Sequence, residues 1–139
     1  MFRHKYKPEI RFSDIDAFDH VNNARYLTYF EQARIAYFRE IVGWNYDWSN
    51  KGIILAKAVV DYIVPVLFKD DVSIYTRCSR LGNKSFDLQY RMVKTEGDRE
   101  ILLSDASTVM VAFDYDEQQS IEIPAGWKDL IRFYEMEKP

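Results

Sequence analysis

The stretch Arg11-Phe12-Ser13-Asp14-Ile15-Asp16-Ala17-Phe18-Asp19-His20-Val21-Asn22-Asn23-Ala24-Arg25-Tyr26 decides how the rest of the chain is read. Its first two residues close an alternating run, its middle is an acidic turn, and its end enters the longest helical pattern in the sequence. Asp14, Asp16, Asp19 and His20 crowd the connection. Asn22 and Asn23 are residue types that begin helices, because a short polar side chain can accept a free backbone N–H. A helix start also gathers unpaired N–H groups and partial positive charge. Carboxylates, an imidazole and donors for a developing oxyanion therefore fall within a few residues, a layout suited to attack on a carbonyl carbon.

Upstream, residues 4–12 alternate, and Tyr6, Ile10 and Phe12 predict an opening strand. Pro8 lacks a backbone donor and places that strand at an edge or start. Downstream, from Ala24 to Ile41, Leu27, Phe30, Ala33 with Arg34, Tyr37 with Phe38, and Ile41 recur at helical spacing. Gly43 supplies a stop. The apolar side of a helix about 27 Å long needs burial, and a sheet wrapped around it provides that. Residues 44–52 read as a loop tethered by Trp44 and Trp48. Four β-patterned runs follow at 53–64, 71–81, 85–95 and 100–115, divided by Pro65 with Lys69-Asp70-Asp71, by Gly82-Asn83 and by Glu96-Gly97-Asp98. Turns this short predict hairpin-connected antiparallel strands, a four-strand meander. Residues 124–137 predict a short helix with Trp127, Leu130, Ile131 and Tyr134 on one face. The plan is α+β, one long helix on a strongly curved antiparallel sheet whose edges need protection.

A length of 139 residues suits one domain with a sizeable core, so residues 1–139 are read as a single domain. A hydrophobic fraction of 47% and an aromatic fraction of 16% exclude a disordered chain. The net charge of −3 gives no electrostatic reason to expect a nucleic acid partner. Cys78 is the single cysteine, which excludes an intrachain disulfide and fits a reducing compartment. Met1-Phe2-Arg3-His4-Lys5 lacks the apolar run of a signal peptide, and no stretch approaches the roughly 20 apolar residues that span a bilayer. The expectation is a cytoplasmic protein with no membrane partner.

The segment from Asp14-x-Asp16 through His20-Val21-Asn22-Asn23-x-x-Tyr26 to Phe30-Glu31-x-Ala33-Arg34 resembles the hotdog-fold acyl-CoA thioesterases. More narrowly it is similar to the branch typified by 4-hydroxybenzoyl-CoA thioesterase. The motif mixes rare residue types at fixed spacing and so speaks for the superfamily, not for a substrate. The resemblance implies a hotdog fold that pairs sheet edges across a two-fold axis, as a homodimer or homotetramer. It implies that Asp16 acts as nucleophile or general base toward a thioester carbonyl, where an ordinary aspartate caps a turn. It gives Asn23 the role of oxyanion donor through its backbone N–H. His20 either helps Asp16, the attacking water or the thioester, or is bonded within the turn. Tyr26 lines the site or joins the core, and Asp14 shapes the turn.

This sequence departs from the pattern of some relatives, with Asn23 where a histidine stands and Asp19 where a glycine precedes the histidine. Aspartate enters the left-handed region more readily than most residues, so the turn can survive. Glu31 and Arg34, three apart, are placed to pair on the helix surface or to bring Glu31 to the site of a dimer. The turn Arg80-Leu81-Gly82-Asn83-Lys84-Ser85 resembles the family's basic turn, which implies that Lys84, with Arg80 and Ser85, meets the phosphates of coenzyme A. Cys78 reads as core. The leading expectation is a homo-oligomeric acyl-CoA thioesterase with no metal and no cofactor. The alternatives are an enzyme acting on acyl groups held by acyl carrier protein, a non-catalytic acyl-CoA-binding hotdog protein and, further off, a hotdog dehydratase or hydratase.

Overall fold

The computed structural model describes residues 1–43 and 50–136, so the loop reading of Trp44 and Trp48 lies outside the described residues. In chain order the elements are β1 (His4–Tyr6), a 3₁₀ turn (Phe12–Asp14), α1 (Arg25–Ile41), β2 (Lys51–Tyr62), β3 (Val72–Leu81), β4 (Ser85–Glu96), β5 (Arg99–Asp114), β6 (Gln119–Ser120) and α2 (Ala125–Met136). One antiparallel sheet runs in the order β1-β3-β4-β5-β2, with β6 beside β5. It curves around α1, and this is the hotdog fold.

The wrapping follows from which faces are apolar. Tyr26, Tyr29, Phe30, Ala33 and Tyr37 form the buried stripe of α1 at spacings of three, four and seven. Opposite it, Phe86, Leu88, Tyr90 and Met92 alternate along β4 and are fully buried. Leu27, expected on that stripe, is 43% exposed, because it lies about 100° around the helix with Arg34 on the flank that faces β2. Gly43 stops the helix at φ 89°, its N–H returning to the Phe38 carbonyl.

Two expectations fail. The opening strand ends at Tyr6 instead of residue 12. Pro8 cannot donate to a ladder, and the chain leaves the sheet there, tightens into the 3₁₀ turn and exposes Phe12. The four runs are also not a simple meander. β3, β4 and β5 are hairpin-connected, but β2 pairs with β5, with Ile54 opposite Val111. The connector after Tyr62 therefore crosses three strand spacings, about 14 Å, which its nine residues span easily. That crossover is anchored by the buried Val66. A smaller difference is that β2 starts at Lys51, inside the expected loop.

The end of the fold is closed by α2, which buries Trp127 and Ile131 and leaves Leu130 on the solvent side. It is fastened through Glu135, which accepts from the Tyr37 hydroxyl and, at 2.7 Å, from the Cys78 N–H. Among the described residues no helix is long and apolar enough to cross a membrane.

Candidate active site

Ile15 and Val21 face each other across an antiparallel bridge, so the acidic segment between them is a small hairpin. The Asp16 N–H donates to the His20 carbonyl at 2.8 Å, and the Asp19 N–H to the Asp16 carbonyl at 3.1 Å. Asp19 takes φ 65°, the left-handed conformation that its short polar side chain tolerates. Asp16 Oδ1 accepts from the Phe18 N–H at 2.9 Å and the His20 N–H at 3.4 Å. The turn thus occupies one of the two oxygens and leaves the other open. Oδ1 is held by the loop, whereas Oδ2 has no hydrogen-bond partner among the described residues.

Asp14 does different work. Its Oδ2 accepts from the Tyr29 hydroxyl at 2.6 Å and the Arg11 N–H at 3.0 Å, while Arg25 approaches Oδ1 at 3.6 Å. Burial opposes its charge, but these donors outweigh burial and hold the carboxyl below the usual aspartate range. Its carbonyl receives the Asn22 N–H, which fastens the loop to the start of α1. The Val21 N–H donates to the Val66 carbonyl at 2.8 Å, so the crossover fixes the loop from the other side.

Just ahead of the helix, Asn22 Oδ1 accepts from the Ala24 N–H at 2.9 Å in a side-chain turn, whereas the N-cap of α1 is Ala24, not an asparagine as expected, and it makes no side-chain capping bond. The Asn22 carbonyl takes the Arg25 N–H at 2.8 Å and points along the helix. In a trans peptide the N–H opposes the C=O, so the Asn23 N–H points outward from the helix start. No described residue accepts it. Asp16, His20, Asn23 and Tyr26 line one open cleft of about 380 Å³. Tyr26 belongs to both the core and the cleft wall, and its burial raises the phenol pKa.

The opposite wall comes from the end of β2 and the crossover, Tyr62 through Pro65. Tyr62 packs edge-on against Tyr26 with ring centroids 4.8 Å apart, and its hydroxyl donates to the Asn23 carbonyl at 3.2 Å. Sequence reasoning does not find these residues. Their single cue is an aromatic ending a strand three positions before a proline, and only the crossover carries them to the loop.

The basic turn lies elsewhere. Arg80 grips Asp87 with two bonds of 2.9 Å and also donates to Ser85 Oγ at 2.9 Å, which closes the β3–β4 hairpin. Lys84 is exposed at its tip. Ser85 is level with Val111 and hence with Ile54, eight residues along β2 from Tyr62. Within one chain the turn and the Asp16 cleft therefore stand about 26 Å apart along the strand.

A larger hollow of about 470 Å³ lies between the outer flank of α1 and the start of β2, with Ile35, Phe38, Ile53, Leu55 and Met110 in its lining. Arg34 borders it and does not pair with Glu31. Its Nη1 donates instead to the Tyr90 hydroxyl at 3.1 Å, which in turn bonds Thr108 Oγ1 at 2.8 Å. This hollow is roomier than the Asp16 cleft, but it lacks a carboxylate beside an imidazole and a helix-start N–H. Those three features come together in the smaller one. Cys78 lies outside the Asp16 cleft, and burial with Glu135 nearby pushes its thiol up to about 12, which disfavours the thiolate.

The sequence profile of the thioesterase-like superfamily matches residues 10–131. The long-chain acyl-CoA thioesterase FadM of Escherichia coli is 25% identical over 118 residues, covering 83% of this chain and 86% of FadM. The uncharacterized protein YsmA of Bacillus subtilis is 34% identical over 94 residues, 66% of this chain and 62% of YsmA. Among solved structures, a thioesterase of Thermus thermophilus complexed with coenzyme A and Zn superposes with TM-score 0.82 at 28% identity, covering 99% of this chain and 98% of that one.

Proposed function

Because the chain belongs to the thioesterase-like superfamily, we propose that it hydrolyses an acyl-CoA thioester to the free acid and coenzyme A. One observation carries this reading: the open oxygen of Asp16 shares a cleft with the unpaired Asn23 N–H at a helix start. A thioester carbonyl seated there has a carboxylate on the carbon side and a donor on the oxygen side. As the carbonyl carbon becomes tetrahedral, negative charge gathers on its oxygen, and the Asn23 N–H with the helix dipole stabilises it. Asp16 either takes a proton from the attacking water or attacks the carbonyl itself to form an anhydride that water then opens. Both routes expel the thiolate of coenzyme A and release the acid. His20, on the cleft wall, steadies the carboxylate or the water. FadM and the coenzyme A-bound Thermus protein support the substrate class.

The position of the basic turn adds a second subunit to the proposal. β2 is an edge strand, and Leu55 and Val59 on it are nearly half exposed. Two copies pairing β2 antiparallel about a two-fold axis bring the Tyr62 end of one strand beside the Ile54 end of the other. The Lys84 turn of one subunit then approaches the Asp16 cleft of its partner, as a nucleotide-binding turn must.

Asp16→Asn tests the chemistry. Asparagine keeps the shape and the Oδ1 bonds of the turn but cannot attack or accept a proton. The expected result is a kcat loss of about 10²-fold or more on the best substrate of an acyl-CoA panel, with KM and thermal melting preserved. Near-normal turnover by this variant removes Asp16 from the mechanism.

A further inference from the structure

We propose that Tyr62 is a positioning residue for this reaction, aiming the Asn23 N–H at the thioester oxygen through the backbone of the first helical turn; the inference rests on the thioesterase reading above. The Asn23 N–H belongs to the peptide between Asn22 and Asn23, whose carbonyl is fixed by Arg25. The next peptide, between Asn23 and Ala24, is held at its N–H end by Asn22 Oδ1. At its carbonyl end the helical bond from the Tyr26 N–H is long, 3.3 Å. The Tyr62 hydroxyl adds a second donor to that carbonyl at 3.2 Å. The two peptide planes share the Cα of Asn23, so fixing the second limits rotation about it and with it the direction of the outward N–H.

The tyrosine is itself well supported. It ends β2, opposite Ser104, and its ring packs against the buried Tyr26. Asn22, Tyr26 in α1 and the sequence-distant Tyr62 on β2 therefore converge on one peptide. The half-exposed hydroxyl bond is worth little in water and more once an acyl-CoA covers the cleft and excludes solvent. A role that strengthens on substrate binding belongs to kcat and not to folding.

Tyr62→Phe isolates the bond, because phenylalanine keeps the ring contact and removes only the hydroxyl. Loss of a whole oxyanion donor costs about 10²–10³ in rate, and a misaimed donor costs part of that. We expect kcat to fall about 5- to 10-fold with KM within twofold and melting unchanged. The second readout is an acyl-CoA analogue in which CH2 replaces the thioester sulfur and the carbonyl carries ¹³C. On wild-type protein the bound carbonyl resonance moves downfield as Asn23 polarises it, and on Tyr62→Phe it moves less at equal affinity. Wild-type kcat and carbonyl shift in the variant overturn the inference while leaving the thioesterase reading intact. Equal losses of melting temperature, KM and kcat also overturn it, by showing a structural role. A wild-type protein that neither hydrolyses acyl-CoA nor polarises the bound carbonyl overturns the thioesterase reading and this inference with it.

Discussion

Asp14 and Asp16 stand two residues apart and are given opposite employment by what surrounds them. Asp14 is buried and fully engaged, so its charge contributes stability; Asp16 is held at one oxygen and open at the other. The Tyr29 hydroxyl makes the shortest of these hydrogen bonds to Asp14, 2.6 Å, and Tyr29→Phe removes it cleanly. A hydrogen bond to a buried carboxylate is worth about 1.5–3 kcal/mol, so the variant loses about 2 kcal/mol near neutral pH. The folded pKa of Asp14 lies below its unfolded value of about 3.9. Its contribution is therefore complete above about pH 4 and is lost as the pH falls through the folded value. Denaturant titrations at fixed protein concentration should show the gap between wild type and Tyr29→Phe narrowing below pH 4, and a gap independent of pH refutes the assignment. The two aspartates, His20 and the asparagines were readable because they are neighbours in the chain as well as in space. Tyr62 was not, because nothing local to it marks the residue it touches.

Elements show the same division between local and distant causes. The hairpin of β3 and β4 was legible to within a residue, since Gly82-Asn83 marks its turn and alternation marks its strands. Its interior is less forgiving than the sequence suggests. The Gly82 N–H donates to the Ser85 carbonyl at 2.8 Å, and a Cβ on Gly82 would lie 2.8 Å from that oxygen and 2.5 Å from Arg80 Nη1. The arginine can swing away, but only by surrendering its hold on Asp87 and Ser85, and the backbone oxygen must shift. Gly82→Ala should cost about 1–3 kcal/mol, as overpacking of a tight site usually does, measured by thermal melts. An unchanged melt would show that the turn opens freely. The partner of β2 could not be read from the same signals. A nine-residue connector containing Pro65 suits a hairpin and a crossover alike, and the choice lies in the pairing of β2 with β5, whose residues stand about forty to sixty positions away and leave no local mark. Leu27 and Leu130 illustrate the remaining error, for helical spacing names a face but not its width.

For the whole molecule, the proposed pairing of two subunits is what would bring Lys84 to Asp16 across the distance that separates them within one chain. Lys84→Ala should raise KM for acyl-CoA and leave kcat nearly unchanged, because a remote phosphate contact serves ground and transition states alike. If that contact crosses the two-fold axis, mixing Asp16→Asn subunits with Lys84→Ala subunits regenerates one intact cleft per mixed dimer, and low-KM activity returns. If Lys84 serves its own chain, the mixture keeps the raised KM. The same edge strand has a consequence in time. β2 leaves the ribosome about sixty residues ahead of its partner in β5, with Ile54 waiting for Val111. At about 5–20 residues per second that delay lasts about 3–12 s. Throughout it, a twelve-residue strand carrying Ile53, Ile54, Leu55, Val59 and Val60 has no ladder on either side. The species most exposed to misassembly is therefore the nascent chain that ends just short of β5, and the hydrophobic edge suited to joining two finished subunits is the one that endangers the unfinished one.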